Sequence, residues 1–217
     1  MNTSILIDHI ETCLEKTNKN ESKLNKSILD LGKEDANFGM SGNKNRHFYN
    51  NIGSMDGTNY LEIGTGAGSS LVSFLYKNNV KATCIDNFSF NEGKEQKEKF
   101  YDNIEKFNVN NNLQIIESDC FSVDVSTLDK FNVYLYDGDH TKDSHYKSLC
   151  YFIDCLEDNF IFLVDDWRCS QVIQPQTFQA IESLSLNVAY HRSIIDGPTS
   201  EKGWWNGIGI FVLGKNK

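Results

Sequence analysis

Positive charge, proline and long apolar runs are what this 217-residue sequence is short of. It sets 21 Lys and Arg against 30 Asp and Glu, a formal net charge of −9. That balance works against sequence-independent binding to nucleic acid or anionic membranes, since both need a basic face to neutralise phosphate. Lys94, Lys97 and Lys99 fall in one stretch, but Glu92, Glu95 and Glu98 are interleaved with them, the pattern of a solvated helix face. Pro175 and Pro198 are the only prolines, and no repeat or Pro-rich linker divides the chain. One domain over 1–217 is therefore expected, with 1–58 as a helical extension able to serve as a lid and 59–217 as the core.

No stretch approaches the roughly 20 apolar residues that span a bilayer, and Met1 to Asp8 has neither the basic start nor the apolar run of a signal peptide. A cytoplasmic location is the expectation. Cys13, Cys84, Cys120, Cys150, Cys155 and Cys169 are scattered, with no Cys-x-x-Cys and no zinc-like Cys/His pairing, which reads as free thiols in a reducing compartment. Two nucleotide motifs are also missing. Without Gly-x-x-x-x-Gly-Lys-Ser/Thr a P-loop is excluded, and no Tyr-x-x-x-Lys of the short-chain reductase type occurs.

What is present is a folded-protein composition, 39% hydrophobic and 12% aromatic, in an alternating pattern. Residues 4–31 carry Ile5, Leu6, Ile10, Cys13, Leu14, Leu24, Ile28 and Leu31 at mostly helical spacing, predicting one or two amphipathic helices that look like an appendage. The stretch from Gly39 to His47 predicts a loop running into a short helix through Phe48 and Ile52. Short apolar runs then predict strands at Tyr60 to Ile63, Lys81 to Asp86, Leu113 to Ile116, Phe131 to Tyr136 and Phe160 to Val164. Helices are expected between them at Ser69 to Tyr76, Asn91 to Phe107 and Thr141 to Leu156. Such alternation predicts an α/β fold, a Rossmann-like doubly wound and mostly parallel sheet with helices on both faces. Late strands around Leu186 to Tyr190 and Gly207 to Leu213 can pair antiparallel at one edge.

Ligands of such sheets bind beyond the carboxyl ends of the strands, and here those ends are acidic: Glu62, Asp86, Asp119, Asp137, Asp139, Asp165 and Asp166. After the first strand comes Gly64-Thr65-Gly66-Ala67-Gly68, a loop whose glycines permit a tight turn and a close ligand. Asp86, 22 positions beyond Gly64, can accept hydrogen bonds from ribose hydroxyls in either an adenosylmethionine or an NAD site. Two features choose between them. Ser69 occupies the third glycine position of the dinucleotide fingerprint, and Glu62 would repel a pyrophosphate while suiting a sulfonium cation.

Tyr60-Leu61-Glu62-Ile63-Gly64-Thr65-Gly66-Ala67-Gly68, Asp86, Ser118-Asp119-Cys120 and Tyr136-Asp137-Gly138-Asp139-His140 together resemble successive motifs of class I S-adenosylmethionine-dependent methyltransferases, over about residues 59–167. The resemblance implies that Glu62, Gly64 and Gly66 line the cofactor's amino-acid moiety, with Thr65 and Ser69 of the same loop, that Asp86 holds its ribose, and that Asp119 and Cys120 flank its adenine. The Asp-Gly-Asp-His segment followed by Val164-Asp165-Asp166-Trp167 resembles the subgroup of macrolide-sugar and other small-molecule O-methyltransferases, several of which use a divalent metal. Gly39-Met40-Ser41-Gly42 and Trp204-Trp205-Asn206-Gly207 also resemble segments of class members and name no substrate.

Because the sulfonium is already a good leaving group, a methyltransferase must chiefly align the acceptor and remove its proton. A hydroxyl acceptor, a sugar or other small metabolite, makes the second task hard. A divalent cation such as Mg2+ held by carboxylates can ease it; Asp137, Asp165 and Asp166 are the expected ligands, with Asp139 as a substitute. Successive residues of a strand face opposite ways, so Asp165 and Asp166 can share one ion only where the strand ends and the chain turns. His140 is the candidate general base, acting with Asp137, while His145 reads as structural. Arg46 and His47 suit a lid, and Trp204 and Trp205 either stack on the acceptor or serve packing. The rival readings are a Rossmann-like NAD-dependent oxidoreductase and a methyltransferase-like protein that binds without turnover. A homo-oligomer is compatible with the sequence.

Overall fold

The computed structural model describes residues 1–32, 40–90, 94–168, 171–195 and 199–216; Gly39, Asn91, Glu92, Cys169 and Pro198 lie outside the described residues. The apolar runs become seven strands of one sheet: β1 (Asn59–Ile63), β2 (Lys81–Asp86), β3 (Leu113–Glu117), β4 (Phe131–Tyr136), β5 (Leu156–Val164), β6 (Asn187–Ile194) and β7 (Ile208–Gly214). Their order is β3-β2-β1-β4-β5-β7-β6. The first five are parallel, and β7 runs antiparallel between β5 and β6. The expected α/β architecture is the one observed.

Among the described residues, seven α-helices accompany the strands: α1 (Thr3–Asn18), α2 (Lys26–Leu29), α3 (Asn43–Ile52), α4 (Ser69–Leu75), α5 (Lys94–Lys106), α6 (Lys142–Phe152) and α7 (Ile173–Ser183). Successive strand side chains point to opposite faces, and the two cores follow that alternation. Tyr60, Val133, Leu135, Ile161 and Leu163 bury against residues of α1, α3, α4 and α5. Leu61, Ile63, Tyr134, Tyr136, Phe162 and Val164 bury against α6 and α7. A strand covered on both faces is mostly apolar, as β4 is: every residue of it is buried and Asn132 alone is an amide. No helix among the described residues is long and apolar enough to cross a membrane.

Three boundaries lie four residues from the sequence expectation. Helix α6 stops at Phe152, a 3-10 turn takes Ile153–Cys155, and β5 begins at Leu156. The exposed Glu157 and Asp158 had hidden that first part of the strand. Likewise β6 continues to Ile194 because His191 and Arg192 can stay exposed on an edge strand.

The amino-terminal helices are not an appendage. Leu6, Ile10, Cys13, Leu14 and Ile28 join the same core as Tyr60 and Ile161, and α1 meets α3, β5 and β7. Their spacing gave the apolar stripe but not what it would cover. Ile10 is fully buried, so Ile10→Ala should destabilise the protein by about 2–5 kcal/mol in urea unfolding. A loss under about 1 kcal/mol would mark the helix as loosely attached.

Candidate active site

The parallel strands end on one side of the sheet, and there the loops enclose a cavity of about 680 Å3, within the range of small-molecule sites. Strand order distributes its walls. The β2 and β3 ends give Asp86, Asp119 and Cys120, the β1 end gives the glycine loop, and the β4 and β5 ends give Asp137, His140, Asp165 and Asp166. Met40, Ser41, Trp205 and Asn206 complete it.

The glycine loop is held by its surroundings. Gly64 has φ +83°, and a Cβ there would lie 2.0 Å from the carbonyl oxygen of Asp137, so no side chain is admissible. Asp86 fastens the loop from the next strand: one carboxylate oxygen accepts from the Gly66 N–H at 2.7 Å, the other from the Phe88 N–H at 2.6 Å. Each oxygen keeps a lone pair, which suits it to ribose hydroxyls. Asp119 accepts from the Phe121 N–H at 2.7 Å, capping a 3-10 turn that carries Cys120. Burial first, and then Asp119, push the Cys120 thiol up to about 12, so it serves as a neutral wall.

Glu62 departs from expectation. It is fully buried and stands behind the loop, outside the cavity lining, with its carboxylate accepting from the Tyr60 hydroxyl at 2.5 Å and the Ser70 hydroxyl at 2.6 Å. It therefore ties β1 to α4 from behind the cavity lining. The sequence signal for this was Tyr60, two residues away on the same strand face. Thr65, Gly66 and Ser69 do line the cavity.

At the other end, β5 stops at Val164 and Asp166 takes a left-handed φ of +51°, the turn that a shared ion demands. Yet the two acids diverge in use. Asp165 accepts from the buried Tyr49 hydroxyl at 3.1 Å and from the Asp166 N–H at 2.9 Å. Asp166 accepts from the Asn206 amide at 2.7 Å and faces His140 Nε2 at 3.1 Å. The group that brings one ligand atom each within 4.8 Å of the others is Asp137, His140 and Asp166. This group has His140 where the sequence expectation had Asp165, which Tyr49 engages from α3. Burial and the adjacent Asp165 and Asp166 hold Asp137 well above the usual carboxylate range. Burial and Asp166 push Asp165 up to about 8. Such like-charge crowding is relieved by a cation.

Of the other candidate residues, Asp139, Arg46 and His47 fall differently from expectation, while His145 is structural as expected. Asp139 accepts from Thr141 and Ser144 hydroxyls at 2.8 and 2.7 Å, anchoring the start of α6 rather than substituting as a ligand. His145 is buried, with its ring edge-on to Tyr136. His47, bonded to Ser22 at 2.7 Å, and Arg46 are both buried in the amino-terminal layer instead of forming a lid. Of the two tryptophans, Trp204 packs edge-on to Phe48, and Trp205 lines the cavity. Sequence reasoning missed Tyr49 and Gln96, which lie on helices and come to the site only through folding.

The residues fit the cofactor that the motifs imply. The buried Gln96 Oε1, in a lining residue, has no partner among the described residues, as a polar ligand's contact would. The six lining aspartates, Asp86, Asp119, Asp137, Asp139, Asp165 and Asp166, suit a ligand bearing sulfonium and ammonium charges.

Residues 61–167 match the sequence family described as a methyltransferase domain. No curated protein matches the chain. Among solved structures, a Corynebacterium glutamicum protein superposes with TM-score 0.65 at 14% identity, covering 94% of this chain and 96% of its own. The O-methyltransferase TomG from Streptomyces achromogenes, involved in tomaymycin synthesis and solved with S-adenosylmethionine, gives 0.63 at 12% identity over 90% and 92%. Cofactor-bound Rv0187 from MTB gives 0.58 at 13% over 96% and 91%. These identities speak for the fold.

Burial lifts Glu62 to about 7, against the lowering hydrogen bonds of Ser70 and Tyr60. The folded state thus holds this proton more tightly than the unfolded chain, so the stability it confers is full below about pH 4.5 and lost as pH rises through about 7. In cofactor-free protein, Glu62→Gln should flatten the fall in melting temperature between about pH 5 and pH 8; an unchanged slope would exclude titration of Glu62 there. With the match over 61–167 lying on this strand order and this glycine cradle, the chain carries a methyltransferase domain with the fold of an O-methyltransferase solved with S-adenosylmethionine.

Proposed function

We propose that the protein methylates a hydroxyl of a small molecule, a sugar or comparable metabolite, with help from a divalent cation such as Mg2+. The observation that carries this is the convergence of Asp137, His140 and Asp166 in the same cavity as the glycine loop. The two carboxylates are the hard oxygen donors that Mg2+ takes, the imidazole suits a first-row transition cation, and Asp137, His140 and Asp166 would hold the ion. When bound, the cation supplies Lewis acidity that makes the acceptor hydroxyl easier to deprotonate.

The chain's own residues divide the rest of the work. The glycine loop and Asp86 fix the cofactor at the β1 and β2 ends, so its methyl is presented toward the β4 and β5 ends, where the acceptor must lie in line. Trp205, Met40 and Ser41 offer that acceptor an apolar wall and one hydroxyl. Asp166 engages His140 Nε2, which leaves Nδ1 of the half-exposed ring as the proton acceptor whenever the ring is not itself a ligand. The pairing of His140 with Asp166 also favours a second reading, in which the dyad alone removes the proton and no metal takes part. TomG, whose name states O-methylation, supports oxygen as the acceptor atom. The cavity reaches from Thr65 to Trp205, leaving acceptor space that a purely binding protein has no need to keep.

The test follows S-adenosylhomocysteine release from a panel of sugars, phenols and amines. Chelator should abolish turnover and added magnesium restore it; full activity in chelator would leave the dyad reading alone. His140→Ala should lower turnover about 10^2- to 10^4-fold with S-adenosylhomocysteine affinity held within about threefold. Asp166→Ala should do the same. Turnover confined to amines would overturn the hydroxyl assignment.

A further inference from the structure

The lining described above has six aspartates and, among the described residues, neither lysine nor arginine. The cofactor nevertheless brings a carboxylate at its amino-acid end, and an acidic cavity repels it unless one wall is positive. A cation does reach the lining from behind. Helix α3 sends Arg46, 1% exposed, under the glycine loop. Its two terminal nitrogens donate to the carbonyls of Leu29 at 2.8 Å and Leu31 at 2.7 Å, and its Nε donates to Ser69 Oγ at 3.1 Å.

The direction of that last bond matters. A guanidinium has donors only, so Ser69 Oγ accepts there, and its own hydrogen is left to point elsewhere. Ser69 lines the cavity. Its neighbour Ser70 gives its hydroxyl to Glu62, so two adjacent serines share the labour: one ties the loop down, the other faces the ligand. A hydroxyl that accepts from a buried cation is the stronger donor onward. Burial lowers Arg46 to about 10, with Asp30 and Glu201 favouring its charged form, so it stays cationic at neutral pH.

We propose that Arg46 is a positioning residue for the cofactor's carboxylate, acting through Ser69, whose hydroxyl donates to it. This rests on the cofactor assignment above. The amino-terminal layer then contributes to cofactor selection and not only to the core.

Calorimetric titration of the full-length protein with S-adenosylhomocysteine and with 5′-methylthioadenosine, which keeps the nucleoside and sulfur but lacks the amino-acid end, tests it without turnover. Wild type should bind S-adenosylhomocysteine the more tightly. Ser69→Ala should lose about tenfold for that ligand and less than about twofold for methylthioadenosine. Arg46→Met should reproduce the pattern, and the double variant should lose no more than either single change. Ser69→Ala removes one oxygen from a half-buried site and carries the test alone if Arg46→Met folds poorly. A folded Ser69→Ala protein that keeps its affinity, or loses both ligands equally, overturns the proposal. Failure of wild type to bind either nucleoside would overturn the cofactor reading beneath it.

Discussion

At residue 64 the chain has no room for a side chain, because the carbonyl of Asp137 stands where Cβ would be. The crossing of the β1 and β4 exits is the constraint from which the rest of the site follows. It is part of a parallel ladder that runs one residue past the strands: Gly64 N–H to Ile85, Asp137 N–H to Ile63, Asp165 N–H to Tyr136 and Ser118 N–H to Asp86. Each of these bonds carries a strand's register into the loop beyond it. The cofactor loop and the acids are thereby fixed relative to each other by backbone, before any side chain contributes.

The electrostatics make a second scaffold necessary. Asp137, Asp165 and Asp166 crowd one end of the cavity, and their mutual repulsion would splay them if only their own strands held them. Helix α3 provides the brace. Tyr49 holds Asp165, Arg46 holds Ser69, and Asn45 accepts from the Trp205 N–H at 2.7 Å. These three lie within five residues on neighbouring faces of one helix and reach three different walls. The first turn of α3 is in turn joined to the loop before β7, through Asn43 N–H to Glu201 and Lys44 N–H to Gly203, and its cap Gly42 is glycine where a Cβ would meet the Gly203 carbonyl at 2.1 Å.

This explains which parts of the molecule were legible in the sequence. The carboxyl ends of β1, β2, β4 and β5 and the glycine loop after β1 are encoded locally, in spacing and in a residue type that a tight turn demands, and they fall where the sequence predicts them. Roles set by a partner distant in the chain are not so encoded. Arg46 and His47 look like surface residues beside asparagine and lysine, and only the stacking of α1 and α3 on the sheet buries them. Glu62 sits next to the glycines but lies behind the cavity lining because Tyr60 and Ser70 claim it. Asp165 and Asp166 are equivalent as letters and distinct in space, since Tyr49, 116 positions earlier, selects one of them. The pattern gave the acids; tertiary contacts assigned them.

Asp166 shows how far the backbone was bent to serve chemistry. A left-handed conformation is costly for a residue with a side chain, although aspartate tolerates it better than most. Glycine would relieve that strain, yet it would give up the carboxylate that meets both His140 and Asn206. Asn206 is itself left-handed, and its carbonyl accepts from the Arg168 N–H at 2.8 Å. Two strained residues therefore hold each other, one after β5 and one before β7, at neighbouring strands of the sheet. Strain of this kind persists only where surrounding contacts over-determine it. Here those contacts are the imidazole and the amide, which meet on the Asp166 carboxylate, and the backbone bond that fixes Asn206.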